Sequence, residues 1–272
     1  DTASAKFDLN GVNLRALSRL ARVTPVTGNV TGSASFTNGP GPATGDFRLV
    51  VANANPVGVT ADPVSLTMSG QLRDAVLTAS VTGEGQGFKL AASSREVMVI
   101  GKGFDVRPDV NAPLQAQLDM NGRAEQLWAL FGPEDQSLRG ELQANVRASG
   151  TIAKPDLSGG FSVAKAAYEH GETGVSLRDI TANGAFDENS VRITNLTAND
   201  GHGGKISGDG SINWQNQLSG SVNFTANDLR ALGRDDRLAV VSGKGAISLD
   251  ETTTNITGDF TVEQARISVE QP

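Results

Sequence analysis

The stretch LRGELQANVRAS, residues 138–149, decides the fold class of this chain. Its apolar and glycine residues all occupy even positions, and its polar and charged residues occupy odd positions. Successive side chains of a β-strand point to opposite faces, so this alternation predicts a strand with one buried face. The same alternation recurs in residues 64–72, 77–83, 114–120, 206–214, 218–226 and 256–262.

Composition agrees with an all-β fold. The 272 residues include 32 glycines, and aromatic residues make up only 5%, which is typical of short strands joined by tight turns. Long Val/Ile/Leu runs, which a parallel sheet covered by helices would show, do not occur. Short helices are predicted only at 14–21, 125–131 and 228–232. Changes of apolar parity at 177–180 and 193–196 predict a β-bulge or a strand break at each position.

Internal repeats indicate how the sheet is organised. Leu14-Arg15-Ala16-Leu17 recurs at 229–232 and, less closely, at 127–130. We therefore predict repeat units of about 110 residues. Unit boundaries are placed at 1–111 and 112–217, followed by a truncated unit at 218–272. Together they would form one continuous elongated sheet, and the truncation suggests a piece of a longer protein.

A sheet with one apolar face cannot hide that face alone, so neighbouring units should merge their faces into one lining. The lining could close as a dry sandwich or solenoid, or stay open as a trough. At the inward positions the small residues Ala and Gly alternate with Leu, Val, Ile and Phe. This alternation favours an open lining with unfilled space over a tightly packed sandwich core. The candidate groove residues, selected by parity, are Leu114, Leu118, Leu138, Leu142, Val146, Ile206, Ile212, Leu218, Val222, Phe224, Ile256, Phe260 and Val262.

Charge and residue usage exclude several kinds of function. With 23 Lys+Arg against 30 Asp+Glu the net charge is −7, which argues against nucleic acid as a partner. Cysteine is absent and there are only two histidines, so we expect no metal site, no cofactor and no catalytic residue. Ser162 and Lys165 match S-x-x-K, but that signature requires a helix and this segment alternates as a strand. The chain is not expected to be an enzyme.

Two longer motifs carry a family resemblance. Residues 150–159 read GTIAKPDLSG, and residues 196–212 read LTANDGHGGKISGDGSI. Both resemble the TamB family of AsmA-like bacterial envelope proteins, in which the patterns G-x-I-x-x-P-x-L-x-G and T-A-x-D-G-x-G-G-x-I-x-G-x-G recur. The resemblance is close over about a quarter of the chain and extends further through the repeats.

The resemblance implies a β-taco, a long curled sheet with an apolar interior. Such proteins span the periplasm of Gram-negative bacteria, between an inner-membrane anchor and the outer-membrane barrel TamA. They are associated with phospholipid traffic and with outer-membrane protein assembly. Relative to a complete family member, we expect this chain to lack the anchor helix and the C-terminal end that would meet TamA.

Our leading hypothesis is a periplasmic, non-enzymatic conduit whose apolar groove carries phospholipid acyl chains between the two membranes. The alternative is a scaffold whose sheet edges template nascent outer-membrane strands or autotransporters by β-augmentation. A closed β-solenoid passenger segment is a third possibility, but its repeats would be far shorter.

Overall fold

The computed structural model describes residues 2–15, 26–56, 62–131, 133, 135–215, 217–250 and 253–268. It is 78% strand and 2% helix, with one large antiparallel sheet that does not close on itself. The all-β prediction is therefore confirmed. The strands are β1 Ala3–Asn13, β2 Val26–Asn38, β3 Thr44–Pro56, β4 Val64–Arg73, β5 Val76–Gly85, β6 Phe88–Ile100, β7 Val106–Pro108, β8 Gln115–Arg123, β9 Gln136–Gly150, β10 Pro155–His170, β11 Val175–Glu188, β12 Ser190–Asn199, β13 Lys205–Asn213, β14 Ser219–Gly233, β15 Arg237–Leu249 and β16 Thr254–Ile267.

Neighbouring strands in the sheet follow one another in sequence, from β1 through β6 and then from β8 through β16, while β7 pairs with β6 off this path. Tight hairpins make this order possible. Between β4 and β5 the turn residues Asp74 and Ala75 have φ angles of 49° and 58°. Positive φ at both central residues is the geometry of a type I′ turn, whose twist matches that of the flanking strands.

The chain divides into two compact units, one formed by 1–122 with 144–157 and the other by 123–143 with 158–272. In the first unit Ala43, Leu72 and Met98 form a buried cluster, joined by Phe36, Leu77, Ile100 and Val106. In the second unit Ala166, Ile180 and Ala198 form the corresponding cluster. The division into repeats at 111 and 217 stays a prediction.

The predicted helices have three different outcomes. Helix α1, Ala124–Phe131, confirms the prediction for 125–131. Of the helix predicted at 14–21, only Leu14 and Arg15 lie within the described residues, and both are helical. The helix predicted at 228–232 is wrong, because these residues continue strand β14. Asp228 has a φ of 48°, which places it in a bulge of that strand.

Both predicted bulges are confirmed by the pairing register. Between β11 and β12 the register shifts between Arg178 and Thr181, and between β12 and β13 it shifts between Ile193 and Leu196. These shifts explain the change of apolar parity along each strand. A bulge adds one unpaired residue to its strand. The apolar side chains on the two sides of the bulge therefore point to the same face of the sheet, although their residue numbers change from odd to even or the reverse.

Candidate functional site

The apolar face of the first unit is built from rows of residues that lie opposite one another across successive strands. In one row Leu49 faces Gly32 on one side and Met68 on the other. The row continues through Val81 and Ala92 to Leu118 on β8. Leu118 is half-buried, as is Leu114, which lies immediately before β8. The parity deduced from sequence therefore places both side chains on one face of the sheet.

The second unit has an equivalent face, formed by β13 to β16. Val222 lies opposite Gly210 and Ile247, and Phe224 lies opposite Gly208 and Gly245. Four candidate residues of this face are half-buried: Ile206, Ile212, Val222 and Phe224. Four others are more open to solvent, with exposed fractions of 42% for Leu218, 67% for Ile256, 41% for Phe260 and 59% for Val262.

Strand β9 carries the remaining candidate residues. Leu138, Leu142 and Val146 are half-buried, whereas Gln143, next to Leu142, is exposed. Leu138 packs against the buried cluster of the second unit. The strand thus has the two-faced character that its sequence predicts, and the assignment of these three side chains to a ligand-binding groove stays a prediction.

Phenylalanine rings and glycines share the apolar face in a fixed arrangement. The rings of Phe224 and Phe260 stack at a centroid distance of 5.9 Å and an angle of 23°. Both rings reach over Gly245, where a Cβ atom would lie 2.7 Å from the Cζ atom of each. Glycine is thus required beneath the rings, since real Cβ atoms do not approach other atoms so closely. The arrangement gives a lining of aromatic carbon over bare backbone.

The opposite face of the sheet is polar. Arg73 donates two hydrogen bonds to the Asp46 carboxylate, at 2.8 and 3.0 Å, and Lys165 pairs with Glu141 at 2.9 Å. The lysine of the S-x-x-K match is therefore held by a carboxylate. Two open depressions, of about 600 and 540 Å³, have linings that combine polar and apolar residues. Phe47 contributes to the first, and Leu196 and Phe224 contribute to the second.

Helix α1 is attached to the sheet through an aromatic contact. Trp128 donates its indole N–H to the backbone oxygen of Gln136 at 3.1 Å and meets the Tyr168 ring edge-on. Tyr168 donates its hydroxyl proton to Oε1 of Gln136 at 2.9 Å, and burial together with the negative charge of Asp135 raises the pKa of the tyrosine. The Trp128 side chain thus packs on the protein itself.

Asp200 organises the turn between β12 and β13, a role that sequence reasoning missed. Only 2% of the residue is exposed. Its Oδ1 accepts the backbone N–H groups of His202 and Gly204, and its Oδ2 accepts that of Arg230. Burial raises the pKa of the carboxyl, but these three hydrogen bonds and the nearby His202 outweigh burial and lower it overall. The pattern D-G-x-G-G at residues 200–204 could have indicated this turn from the sequence, because an aspartate followed by glycines is typical of such turns.

One group of possible metal ligands occurs within the described residues, formed by Asp135, His170 and Glu172, whose ligand atoms lie within 4.8 Å of one another. Nδ1 of His170 accepts the backbone N–H of Thr173 at 3.2 Å. A neutral His170 therefore carries its proton on Nε2, which lies 3.6 Å from the Asp135 carboxylate. With its Nδ1 lone pair engaged by Thr173 and a proton on Nε2, the neutral ring has no free lone pair to offer a metal in this arrangement.

Comparison with known proteins finds a family similarity in the second unit. Residues 194–272 match the family model of the TamB C-terminal domain. The chain is thus similar to TamB proteins over this C-terminal stretch. The matched region contains the Asp200 turn and strands β13 to β16 with their half-buried apolar face. No curated protein and no solved structure matches the chain.

The TamB family comprises components of the bacterial envelope and is associated, broadly, with outer-membrane protein assembly and lipid transport. It is a family of non-enzymatic transport and assembly modules. Within the described residues, no helix is long and apolar enough to cross a bilayer. The similarity therefore directs attention to the apolar face of strands β13 to β16, which lies within the matched residues.

Proposed function

We propose that the apolar faces of this chain carry phospholipid acyl chains, and that the protein serves as a non-enzymatic lipid conduit between the two membranes of a Gram-negative envelope. The observation that carries the proposal is the set of half-buried apolar side chains in each unit: the row from Leu49 to Leu118 in the first, and Ile206, Ile212, Val222 and Phe224 in the second. A fully dry core would bury such residues, whereas an open face leaves them part of their surface for a ligand.

The energy for binding comes from burial of hydrocarbon. Each methylene removed from water is worth about 0.8 kcal/mol, so an acyl chain of about 16 carbons gains on the order of 10 kcal/mol when fully covered. No particular polar contact is needed for this gain, which suits a row of apolar side chains such as Leu49, Met68 and Val81. The headgroup would remain in water at the margin of the face.

The arrangement of phenylalanine over glycine favours movement along the face. Phe224 lies between Gly208 and Gly245, and its ring covers Gly245. Because neither glycine has a side chain, the surface around the ring is apolar and low in relief. A sliding acyl chain exchanges one set of dispersion contacts for a similar set, and no hydrogen bond must break. Transport along such a lining requires no chemical step by the protein.

The cellular setting forms part of the proposal. The conduit would lie in the periplasm as a portion of a longer protein anchored in the inner membrane, with the outer-membrane barrel TamA as its partner. Assembly of outer-membrane proteins would then depend on the lipid supply that the conduit maintains.

Photocrosslinking in cells tests the proposal. A photoreactive residue is placed at Leu142, which is half-buried on β9, in the full-length parent protein, and cells are supplied with labelled phospholipid. The matched control carries the same residue at Gln143, one position away and exposed on the polar face. We expect lipid adducts at Leu142 and a tenfold lower yield at Gln143.

Two results would contradict the conduit. Equal adduct yields at both positions would show that lipid contacts the sheet without regard to its faces. No adducts at Leu142, Leu118 or Val222, in a protein that is folded and abundant, would show that the apolar faces are covered by protein.

A further inference from the structure

Both units carry an open depression, of about 600 Å³ in the first and about 540 Å³ in the second, and the lining places each depression on the polar face. On β4 the first depression is lined by Ser69, Gly70 and Gln71. Leu72 is buried in the apolar cluster, so Gln71 and Ser69 point to the opposite face. The same grouping, two residues of the polar face around one of the apolar face, recurs on β2, β3 and β5 and, in the second depression, on β13, β14 and β15.

Both depressions run across the strands rather than along them. Arg48 of the first depression lies opposite Ser33 on one neighbouring strand and opposite Ser69 on the other. In the second depression, Asp209 lies opposite Asn223. Each step to the next strand is about 4.8 Å, so the side chains repeat at that interval along each depression. A ligand with a repeating unit of similar length therefore meets an equivalent set of groups on every strand.

Several polar groups of the depressions are not used by the protein itself. In the first depression, the exposed side chains of Arg48 and Gln71 make no hydrogen bond or ion pair with the part of the chain that the structure describes. In the second, the same holds among the described residues for the exposed side chains of Asp209, Asn223 and Lys244. Their donors and acceptors are therefore available to a ligand.

The mixture of charges narrows the class of ligand. Each depression contains a carboxylate and a cationic side chain, Asp46 with Arg48 in the first and Asp209 with Lys244 in the second. A ligand of uniform charge would be repelled by one member of each pair. Hydroxyl and amide groups suit both members, because each of these groups can donate and accept hydrogen bonds.

We propose that the two depressions bind an extended oligosaccharide, which lies across the strands with about one sugar on each strand. Sugars carry closely spaced hydroxyl groups, and N-acetylated sugars add an amide, so successive units present donors and acceptors at the strand interval. The forked guanidinium of Arg48 and the amides of Gln71 and Asn223 set the orientation of the bound chain. This inference concerns the polar face and is independent of lipid carriage on the apolar face.

Isothermal titration calorimetry on the purified chain tests the proposal. The probe is chitotetraose, an extended chain of N-acetylglucosamine units, and the matched control ligand is the single sugar N-acetylglucosamine. We expect one probe molecule to bind in each depression, at least about tenfold more tightly than the single sugar, because the longer chain makes more hydrogen bonds. No binding of chitotetraose, or equal affinities for the two ligands, would overturn the proposal.

Substitutions then locate the binding sites. The double variant Arg48→Ala with Gln71→Ala should lose the first site, which leaves the second depression to be titrated alone. Addition of Asn223→Ala should weaken the remaining site about fivefold, because the amide contributes both a donor and an acceptor. The matched control adds Asn227→Ala instead, since Asn227 is exposed on the same strand but does not line the depression.

All four side chains are exposed, so the variants should stay folded, which circular dichroism verifies. Equal affinities after addition of Asn223→Ala and of Asn227→Ala would show that the oligosaccharide does not bind in the second depression. Two unchanged sites in the double variant would show the same for the first. Either result would overturn the assignment of that depression.

Competition distinguishes a sugar from other polar chains. The competitor is a flexible peptide of alternating serine and asparagine, which carries hydroxyl and amide groups without sugar rings. We expect displacement of chitotetraose to need at least about tenfold more peptide, because a flexible chain loses more conformational entropy on binding. Displacement at equal concentrations would overturn the assignment to an oligosaccharide and indicate a peptide partner instead.

Discussion

The backbone N–H of Arg230 donates a hydrogen bond of 2.9 Å to the buried carboxylate of Asp200, a residue 30 positions earlier in the chain. The same carboxylate accepts the N–H groups of His202 and Gly204. A single side chain thus fixes the turn between β12 and β13 and ties it to the bulged part of β14. The match to the TamB C-terminal domain includes both ends of this connection.

Replacement of Asp200 by asparagine should destabilise the protein by about 2–3 kcal/mol, because the amide nitrogen would face a backbone N–H that now has no acceptor. Urea unfolding followed by circular dichroism measures the change. Asp209→Asn is the matched control, since Asp209 is exposed on β13 and should change stability by less than about 0.5 kcal/mol. A similar small effect at Asp200 would show that its hydrogen bonds do not stabilise the turn.

The lowered pKa of Asp200 predicts a specific loss of stability in acid. Its folded pKa lies below the unfolded value of about 3.9, so the carboxylate stabilises the fold above that pH and loses this contribution as pH falls through the folded pKa. An asparagine side chain cannot titrate, so Asp200→Asn should lose less unfolding free energy between about pH 5 and about pH 2.5 than the original chain does. Parallel acid dependence in the two proteins would contradict the prediction.

The Asp200 connection also explains where sequence reasoning failed. Leu229-Arg230-Ala231-Leu232 has the same residues as Leu14-Arg15-Ala16-Leu17, and local spacing predicts a helix for both. At 228–232 the chain continues as a strand, with Asp228 hydrogen-bonded to Ser242 on β15 and Arg230 to Asp200. Bonds from distant residues override local propensity here. No pattern within the segment could have revealed them.

The alternation of side chains was, in contrast, predictable from sequence. Leu142 is half-buried and Gln143 exposed because the two-residue period of a strand depends only on local geometry. The pairing of Phe224 with Gly245 was not predictable, because it depends on the register between β14 and β15. The sequence thus identified the two faces, while the arrangement of rings over glycines required the structure.

Gly245→Ala tests that arrangement. The new methyl group would meet the Cζ atoms of Phe224 and Phe260 at 2.7 Å, so both rings must move, at a cost of about 1–3 kcal/mol. Gly41→Ala is the control, because nothing lies within 4 Å of a Cβ at that position. Thermal unfolding should separate the two variants clearly. If Phe224→Leu is added to Gly245→Ala, part of the lost stability should return, whereas independent effects would show that the ring and the methyl do not collide.

Leu142→Arg tests whether the apolar face works as a lipid surface. The side chain of Leu142 is half-buried, so an arginine can extend its charge to water and the chain should stay folded, with less than about 2 kcal/mol lost. A charge in the lining must be dehydrated by a passing acyl chain, so lipid crosslinking at Leu138 and Val146, on either side along β9, should fall at least tenfold. Gln143→Arg places the same charge on the polar face and should leave crosslinking unchanged. Unfolding of Leu142→Arg, measured by circular dichroism, would instead indicate a closed core around Leu142 and would contradict the open lining.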